Sequence, residues 1–284
     1  RVMIMTDQDE DGSHIKGLVV SMLHHYWPQL VARKGFLQEF ITPLLKVRST
    51  GAAKAKVTKE TTRSFYSLPE YKKWWEALPQ KERKRWQTKY YKGLGTSTAA
   101  EALAYFRDIG RHRIELLPSV DDGEMIDLAF SGVRSADRKE WLRSSVQGDS
   151  AATRAAALDV LPSHFGSQSS ERPSERPLLD FLHRDLAYFS VANLRRSIPS
   201  LIDGLKPSQR KVLHACMRKR LTRSRQTKVS QLAGYVSETT GYHHGEASLV
   251  GTIVKMAQDF VGSNNVPLLV PEGQFGTRAN GGDD

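Results

Sequence analysis

Cysteine is almost missing from this chain: Cys216 is the single one among 284 residues. That excludes an internal disulfide and any zinc site built on several thiolates. No uninterrupted apolar run approaches the roughly 18 residues of a membrane-crossing helix, so no membrane partner is expected. The opening, Arg1-Val2-Met3-Ile4-Met5-Thr6, runs into acids after too short an apolar stretch to read as a signal peptide. No internal repeat is visible. Acid is missing over one long stretch: from Lys206 to Lys228 there are nine basic residues and no Asp or Glu.

What is present fits about two domains of ordinary size, with 39% hydrophobic residues for their cores. The formal charge is +11. A solvated helix face usually mixes signs, so the acid-free run, with Lys206, Arg210, Lys211, Arg218, Lys219, Arg220, Arg223, Arg225 and Lys228, points to a polyanion, and nucleic acid is the commonest one.

Val2–Met5 reads as a buried strand meeting an acidic loop, Ile15–Val31 as a mostly buried helix, and Phe36–Val47 as a strand. Strand, acidic loop, helix, strand is an α/β arrangement, with the loop where open α/β sheets place their ligands. Ser49–Arg63 reads as an exposed hairpin tip or loop and Pro69–Trp86 as a helix anchored by Trp74, Trp75 and Trp86. Lys89–Thr98 is a turn with two glycines, followed by an Ala-rich helix through Arg107. Gly166–Pro177 is the clearest linker. The last third is helical: a helix starts at Pro207, and Val229, Leu232, Ala233, Val236 and then Val250, Ile253, Val254, Ala257 recur at helical spacing. The polar turn between the last two suggests a helix-turn-helix variant, though longer than usual.

Asp7-Gln8-Asp9-Glu10-Asp11-Gly12 sets carboxylates at i, i+2 and i+4. In extended chain Asp7 and Asp9 share a face about 7 Å apart, and hard oxygen ligands at that spacing suit Mg²⁺. An EF-hand also opens D-x-D-x-D-G, but its twelfth position must be Glu and here is Leu18. A solvated acidic turn and a Mg²⁺ site remain, the latter needing one more acid from elsewhere. His14 alone reads as structural. His243-His244 has no cysteine nearby, which disfavours zinc; donation to phosphate near a helix start suits it better.

Taken together, MIMTDQDEDGSHIKGL, FYSLPEYKKWW, YYKGLGTST, RHRIELL, DRKEWL, RSIPSLIDGLKPSQRKVL, YHHGEASLVGTIVKMAQDFVGSNN and GQFGTR resemble eukaryotic-type DNA topoisomerase II along essentially the whole chain. DQDEDGSH alone indicates the wider TOPRIM superfamily, which includes primases and nucleases. DGLKPSQRKVL and GQFGTR narrow the resemblance to type IIA enzymes, and FYSLPEYKKWW and YHHGE favour the eukaryotic form over bacterial gyrase. The resemblance implies a TOPRIM-type α/β portion followed by a mainly helical winged-helix portion. Expected boundaries are 1–120 for the C-terminal part of TOPRIM with a family insertion, 121–180 for connecting helices and linker, and 181–284 for the winged-helix domain.

It also implies residue roles. Asp7 and Asp9 would hold Mg²⁺, with Asp11 as a supporting acid and a Glu from upstream. Lys92 would sit near the cleavage centre. Arg138, Lys139, Lys206, Arg210, Tyr242, His243 and Ser248 would face double-stranded DNA. The implied parent is an ATP-dependent, homodimeric topoisomerase that cuts both strands and passes a second duplex, with ATP bound outside this chain. A nuclear location is expected, with mitochondrial or viral origin left open. Gln147-Gly148-Asp149-Ser150-Ala151 matches the family's EGDSA-like motif in letters but lies downstream of the aspartates, in a different context. The nucleophilic tyrosine and the arginine before it are expected beyond Asp284, so this chain alone is expected to bind DNA and not to cleave it. A non-catalytic DNA-binding module and another TOPRIM enzyme are the alternatives.

Overall fold

The computed structural model of the chain describes residues 1–49, 62–66, 68–91, 97–146, 174–242, 244–264 and 266–282. They fall into two units, Arg1–Ala192 and Asn193–Asp284. The first unit runs β1 (Val2–Ile4), α1 (Glu10–Tyr26), α2 (Pro28–Val31), β2 (Leu37–Phe40), β3 (Leu45–Ser49), β4 (Thr62–Phe65), α3 (Leu68–Ala77), α4 (Gln80–Arg83) and β5 (Trp86–Tyr90). It continues through α5 (Ala99–Arg107), α6 (Ile109–His112), β6 (Arg113–Leu117), α7 (Asp122–Phe130), α8 (Ser135–Val146), β7 (Glu175–Pro177) and most of α9 (Leu178–Ser197). The segment expected as a connector therefore supplies α7, α8 and β7 to this unit.

One sheet has the order β1-β2-β6-β7. β1 and β2 are parallel, with Ile4 opposite Glu39, and α1 provides the crossover that parallel neighbours require. β2 meets β6 antiparallel and β6 meets β7 parallel. Ile4, Val20, Leu23, Leu37, Leu116, Ile126, Phe181 and Leu182 form the core against this sheet. β3, β4 and β5 make a separate antiparallel sheet, whose Leu45, Val47 and Phe65 pack against Tyr71, Trp74 and Trp86.

Four expectations change. The helix expected over Ile15–Val31 starts earlier, at Glu10, and breaks at Trp27, because Pro28 cannot donate into a continuing helix and instead starts α2. Nor is that helix mostly buried: Val20 and Leu23 face the core while Ile15, Leu18, Met22 and Tyr26 are exposed. The strand expected over Phe36–Val47 is two strands in two sheets, parted around Pro43, which has no N–H for a ladder. Trp86 opens strand β5 rather than closing a helix, its ring meeting Trp74 edge-on at 5.3 Å. Glu175–Pro177, placed in a linker by composition, is a strand whose Arg176 is buried.

The second unit carries α10 (Pro207–Lys219), α11 (Val229–Thr240) and α12 (Glu246–Ala257). Val212, Ala215, Leu232, Ala233, Val236, Leu249 and Ile253 close their common core, at the spacings the sequence showed. Arg220 ends α10 with φ 54°, and Gly241 ends α11 with φ 61°, the left-handed stop that glycine adopts without strain. Beyond α12 the chain is irregular and is held by Gln258. Its buried amide donates to the carbonyls of Phe275 (2.9 Å) and Gly282 (3.1 Å) and accepts from Ser263 Oγ at 2.5 Å.

Candidate functional site

The acidic loop leaves the carboxyl end of β1 and turns into α1. Asp9 is the N-cap: its Oδ1 accepts from Gly12 N at 2.8 Å, and its carbonyl accepts from Ser13 N at 3.1 Å. The motif needs glycine at 12 because a Cβ there would lie 2.0 Å from the Asp7 carbonyl oxygen. The first turn of α1 thus rests directly on the backbone of Asp7. Gln8 reaches across to the Phe40 carbonyl at 3.1 Å, tying the loop to β2. Asp7 is exposed, and Asp9 and Asp11 are half-buried.

Burial raises the Asp9 carboxyl above its ordinary value; the Gly12 N–H opposes this, and the charges of Glu10, Asp7 and Asp11 add to the rise. Among the described residues no three His, Cys, Asp or Glu side chains converge into a ready ion cage. The donor set is oxygen only, and the crowded negative charge at Asp9 favours a counter-cation. Both features fit Mg²⁺, which keeps several waters and takes one or two carboxylates. Tyr90, at the end of β5, lies near the same loop: burial first, then Glu10 and Asp9, push its phenol up. Tyr90 carries no signal of its own in the sequence beyond standing two residues before Lys92.

Below the loop, α1 is fixed by buried charges that periodicity does not reveal. Lys16 Nζ pairs with Glu39 on β2 and lies 5.0 Å from the Phe181 ring centre. Arg176 on β7 grips Asp185 with two bonds of 3.0 and 2.7 Å, binds Asp180 at 2.8 Å, and comes within 3.9 Å of Glu39. A second cluster holds the flanks of residues 92–96. Glu101 takes the Tyr91 hydroxyl, the Thr98 N–H at 2.9 Å and Lys46 Nζ at 3.0 Å. Burial opposes its ionisation, but those donors outweigh it and hold the carboxyl down to about 2. Lys92 itself lies outside the described residues.

In the second unit the basic run covers α10 and the loop to α11. Lys206 and Arg210 are exposed at the start of α10. The Arg210 guanidinium grips Asp203 with two 2.8 Å bonds. Tyr242 is only 7% exposed and belongs to the core; its hydroxyl donates to Ser248 Oγ at 3.2 Å, so what it offers outward passes through exposed Ser248. His243 lies outside the described residues. In the first unit Lys139 is exposed on α8, while Arg138 Nη1 donates to the carbonyls of Leu128, Ala129 and Ser131 at 2.9–3.3 Å, closing the end of α7.

Two family profiles match. The C-terminal associated domain of TOPRIM covers residues 40–194, and the DNA gyrase/topoisomerase IV profile covers 196–284. The chain is 48% identical over its whole length to DNA topoisomerase 2-alpha of Homo sapiens and 46% to a probable DNA topoisomerase 2 of Dictyostelium discoideum, and spans 17% of each. The chain belongs to the eukaryotic-type DNA topoisomerase II family. A topoisomerase II structure from Plasmodium falciparum, described as a DNA-binding, cleavage and re-ligation domain, superposes with a TM-score of 0.73 at 44% identity, covering 99% of this chain and 34% of that one.

Within this topoisomerase II chain the first unit gathers Asp7, Asp9, Asp11, Glu10 and Tyr90 at one place. Lys206 and Arg210 share the α10 start in the second unit, with Tyr242 and Ser248 bonded across the turn into α12. Arg138 and Arg210 hold groups of their own unit, partners that no motif lettering announces.

Proposed function

We propose that this chain is the metal-carrying and DNA-gripping part of an ATP-dependent type II DNA topoisomerase. The parent would break both strands of a duplex by transesterification and pass a second duplex through the gap, working as a homodimer in the nucleus, with ATP bound outside this chain. The observation that carries the reading is the Asp7–Gly12 loop, seated at the carboxyl end of β1 in a chain similar from end to end to DNA topoisomerase 2. In this reading Asp7 and Asp9 hold Mg²⁺, with Asp11 supporting and a Glu from another segment completing the set. Bound there, the ion supplies charge stabilisation to the oxygens of phosphoryl transfer.

The chain's own residues do the rest. Gly12 lets the first turn of α1 rest on the Asp7 backbone, Gln8 ties the loop to β2, and the Lys16–Glu39 pair holds α1 behind it. The Glu101 cluster fixes both flanks of the segment containing Lys92, which lies near the cleavage centre in this reading. Lys139, Lys206 and Arg210 meet phosphates, with Arg138, His243 and Ser248 in the same role and Tyr242 acting through its hydroxyl's bond to Ser248. Phosphate contacts position a duplex without reading its sequence, which suits an enzyme of topology. The test is ATP-dependent decatenation by the protein that carries this chain. Asp9→Asn is expected to abolish double-strand cleavage while duplex binding persists. Cleavage at the parental rate in Asp9→Asn would overturn the metal assignment, and absence of duplex binding would overturn the DNA role.

A further inference from the structure

The second unit holds a cavity of about 760 Å³ that none of the roles above uses. Its floor is apolar: Cys216, Leu232, Ile253 and Ala257 are each at most 9% exposed. One wall is the loop after α10, turned by the left-handed Arg220 and fastened by the bond from Leu221 N to the Cys216 carbonyl at 3.1 Å. The facing wall is the segment after α12, fastened by Leu268 N to the Met256 carbonyl at 3.1 Å. Exposed Arg223, Arg225 and Lys228 stand on the rim. Glu272 is the one acid in the lining, and it lies 3.8 Å from Arg223. Among the described residues no carboxylate pairs with Arg225 or Lys228. The volume falls within the roughly 300–1,000 Å³ of small-molecule sites, which combine an apolar lining with a few placed polar groups.

We propose that this cavity binds a small amphipathic anion, an aromatic carboxylate or sulfonate, whose ring rests on the Cys216–Leu232–Ile253 floor and whose charge meets Arg225 and Lys228. The shape argues against a bare phosphate, which would use the rim and leave the floor wet. A nucleic-acid backbone has the same shortcoming. The proposal does not rest on the topoisomerase reading.

The test uses 1-anilinonaphthalene-8-sulfonate with the 284-residue chain. Because Cys216 is the single thiol, its modification rate reports on this one residue of the floor. Bound probe is expected to slow Cys216 modification by Ellman's reagent severalfold. The double variant Arg225→Gln/Lys228→Gln should weaken binding at least about tenfold, the scale of one or two lost charge-assisted bonds. The uncharged analogue N-phenyl-1-naphthylamine should bind at least about tenfold more weakly than the sulfonate. Met217→Trp, a change at an exposed lining residue, should block the mouth, so that added probe no longer alters the Cys216 modification rate. The proposal is overturned if the probe binds without protecting Cys216. It is equally overturned if the two cations make no difference, or if a short DNA duplex both protects Cys216 and displaces the probe, which would make the cavity part of a nucleic-acid surface.

Discussion

Gly12→Ala tests the link between the acidic motif and its fold. A Cβ at position 12 would sit 2.0 Å from the Asp7 oxygen and 2.8 Å from its carbon. Real carbon contacts need at least 3.0 Å, so the carbonyl must move by 1.0 Å. Overpacking costs about 1–3 kcal/mol where side chains can give way; here a backbone group must, which puts the cost at the upper end. Alanine returns about 1 kcal/mol of helix propensity, leaving about 2 kcal/mol of destabilisation. Gly234, in α11, is the control: nothing lies within 4 Å of its added Cβ, so Gly234→Ala should stabilise by about 0.5–1 kcal/mol. Urea unfolding of each variant measures the pair, with a Gly12→Ala midpoint shift of about 1 M expected. Because the Asp7 backbone must shift away from the first turn of α1, which Asp9 caps, Gly12→Ala should also weaken Mn²⁺ binding, read by paramagnetic relaxation, while Gly234→Ala leaves it intact. Two substitutions with the same effect on stability, or unchanged Mn²⁺ affinity in Gly12→Ala, would refute the reasoning.

Three further outcomes are expected. The Glu101 carboxyl is held at about 2 in the fold against an ordinary 4.5, so its stabilisation is complete above about 4.5 and is lost as pH falls towards 2; acid unfolding of Glu101→Gln should therefore show a flatter pH dependence in that window, and an unchanged curve would count against the cluster. Gln258→Leu strips the Phe275 and Gly282 carbonyls of their donor and should cost about 1–3 kcal/mol, with faster hydrogen exchange confined to residues 258–282; uniform or unchanged exchange would contradict it. Lys139→Ala and Lys206→Ala should each reduce the slope of log affinity against log salt by about 1 for duplex DNA, and an unaltered slope would remove that residue from the interface.

Legibility differed by the kind of force at work. The acidic loop could be read because its letters, D-x-D-x-D-G, encode a cap and a close backbone approach made within a few residues. The helices of the second unit could be read because their cores repeat at helical spacing. Trp86 misled because a tryptophan anchors a strand as well as a helix, and only pairing with β3 decides between them. Glu175–Pro177 misled because composition resembling a linker says nothing of Arg176, whose partners lie on β2 and α9. Tyr242 stands out by its position in a motif, which does not reveal that its ring also belongs to the core. Arg138 and Arg210 stand out by charge, and charge does not announce the partners they have within their own units, the carbonyls at the end of α7 and the Asp203 carboxylate.

The ions inside the first unit bear on how that unit assembles. Lys16, Glu39, Arg176 and Asp185 cancel to zero net charge, yet they arrive on α1, β2, β7 and α9, with more than a hundred residues separating the first from the last two. A partly folded state in which β7 has not docked would leave Asp185 without Arg176, the guanidinium that grips it with two bonds, in an apolar surrounding where an unpaired charge is heavily penalised. Such a state gains little by forming early, so the late-arriving strand acts as a latch and the unit closes as a whole.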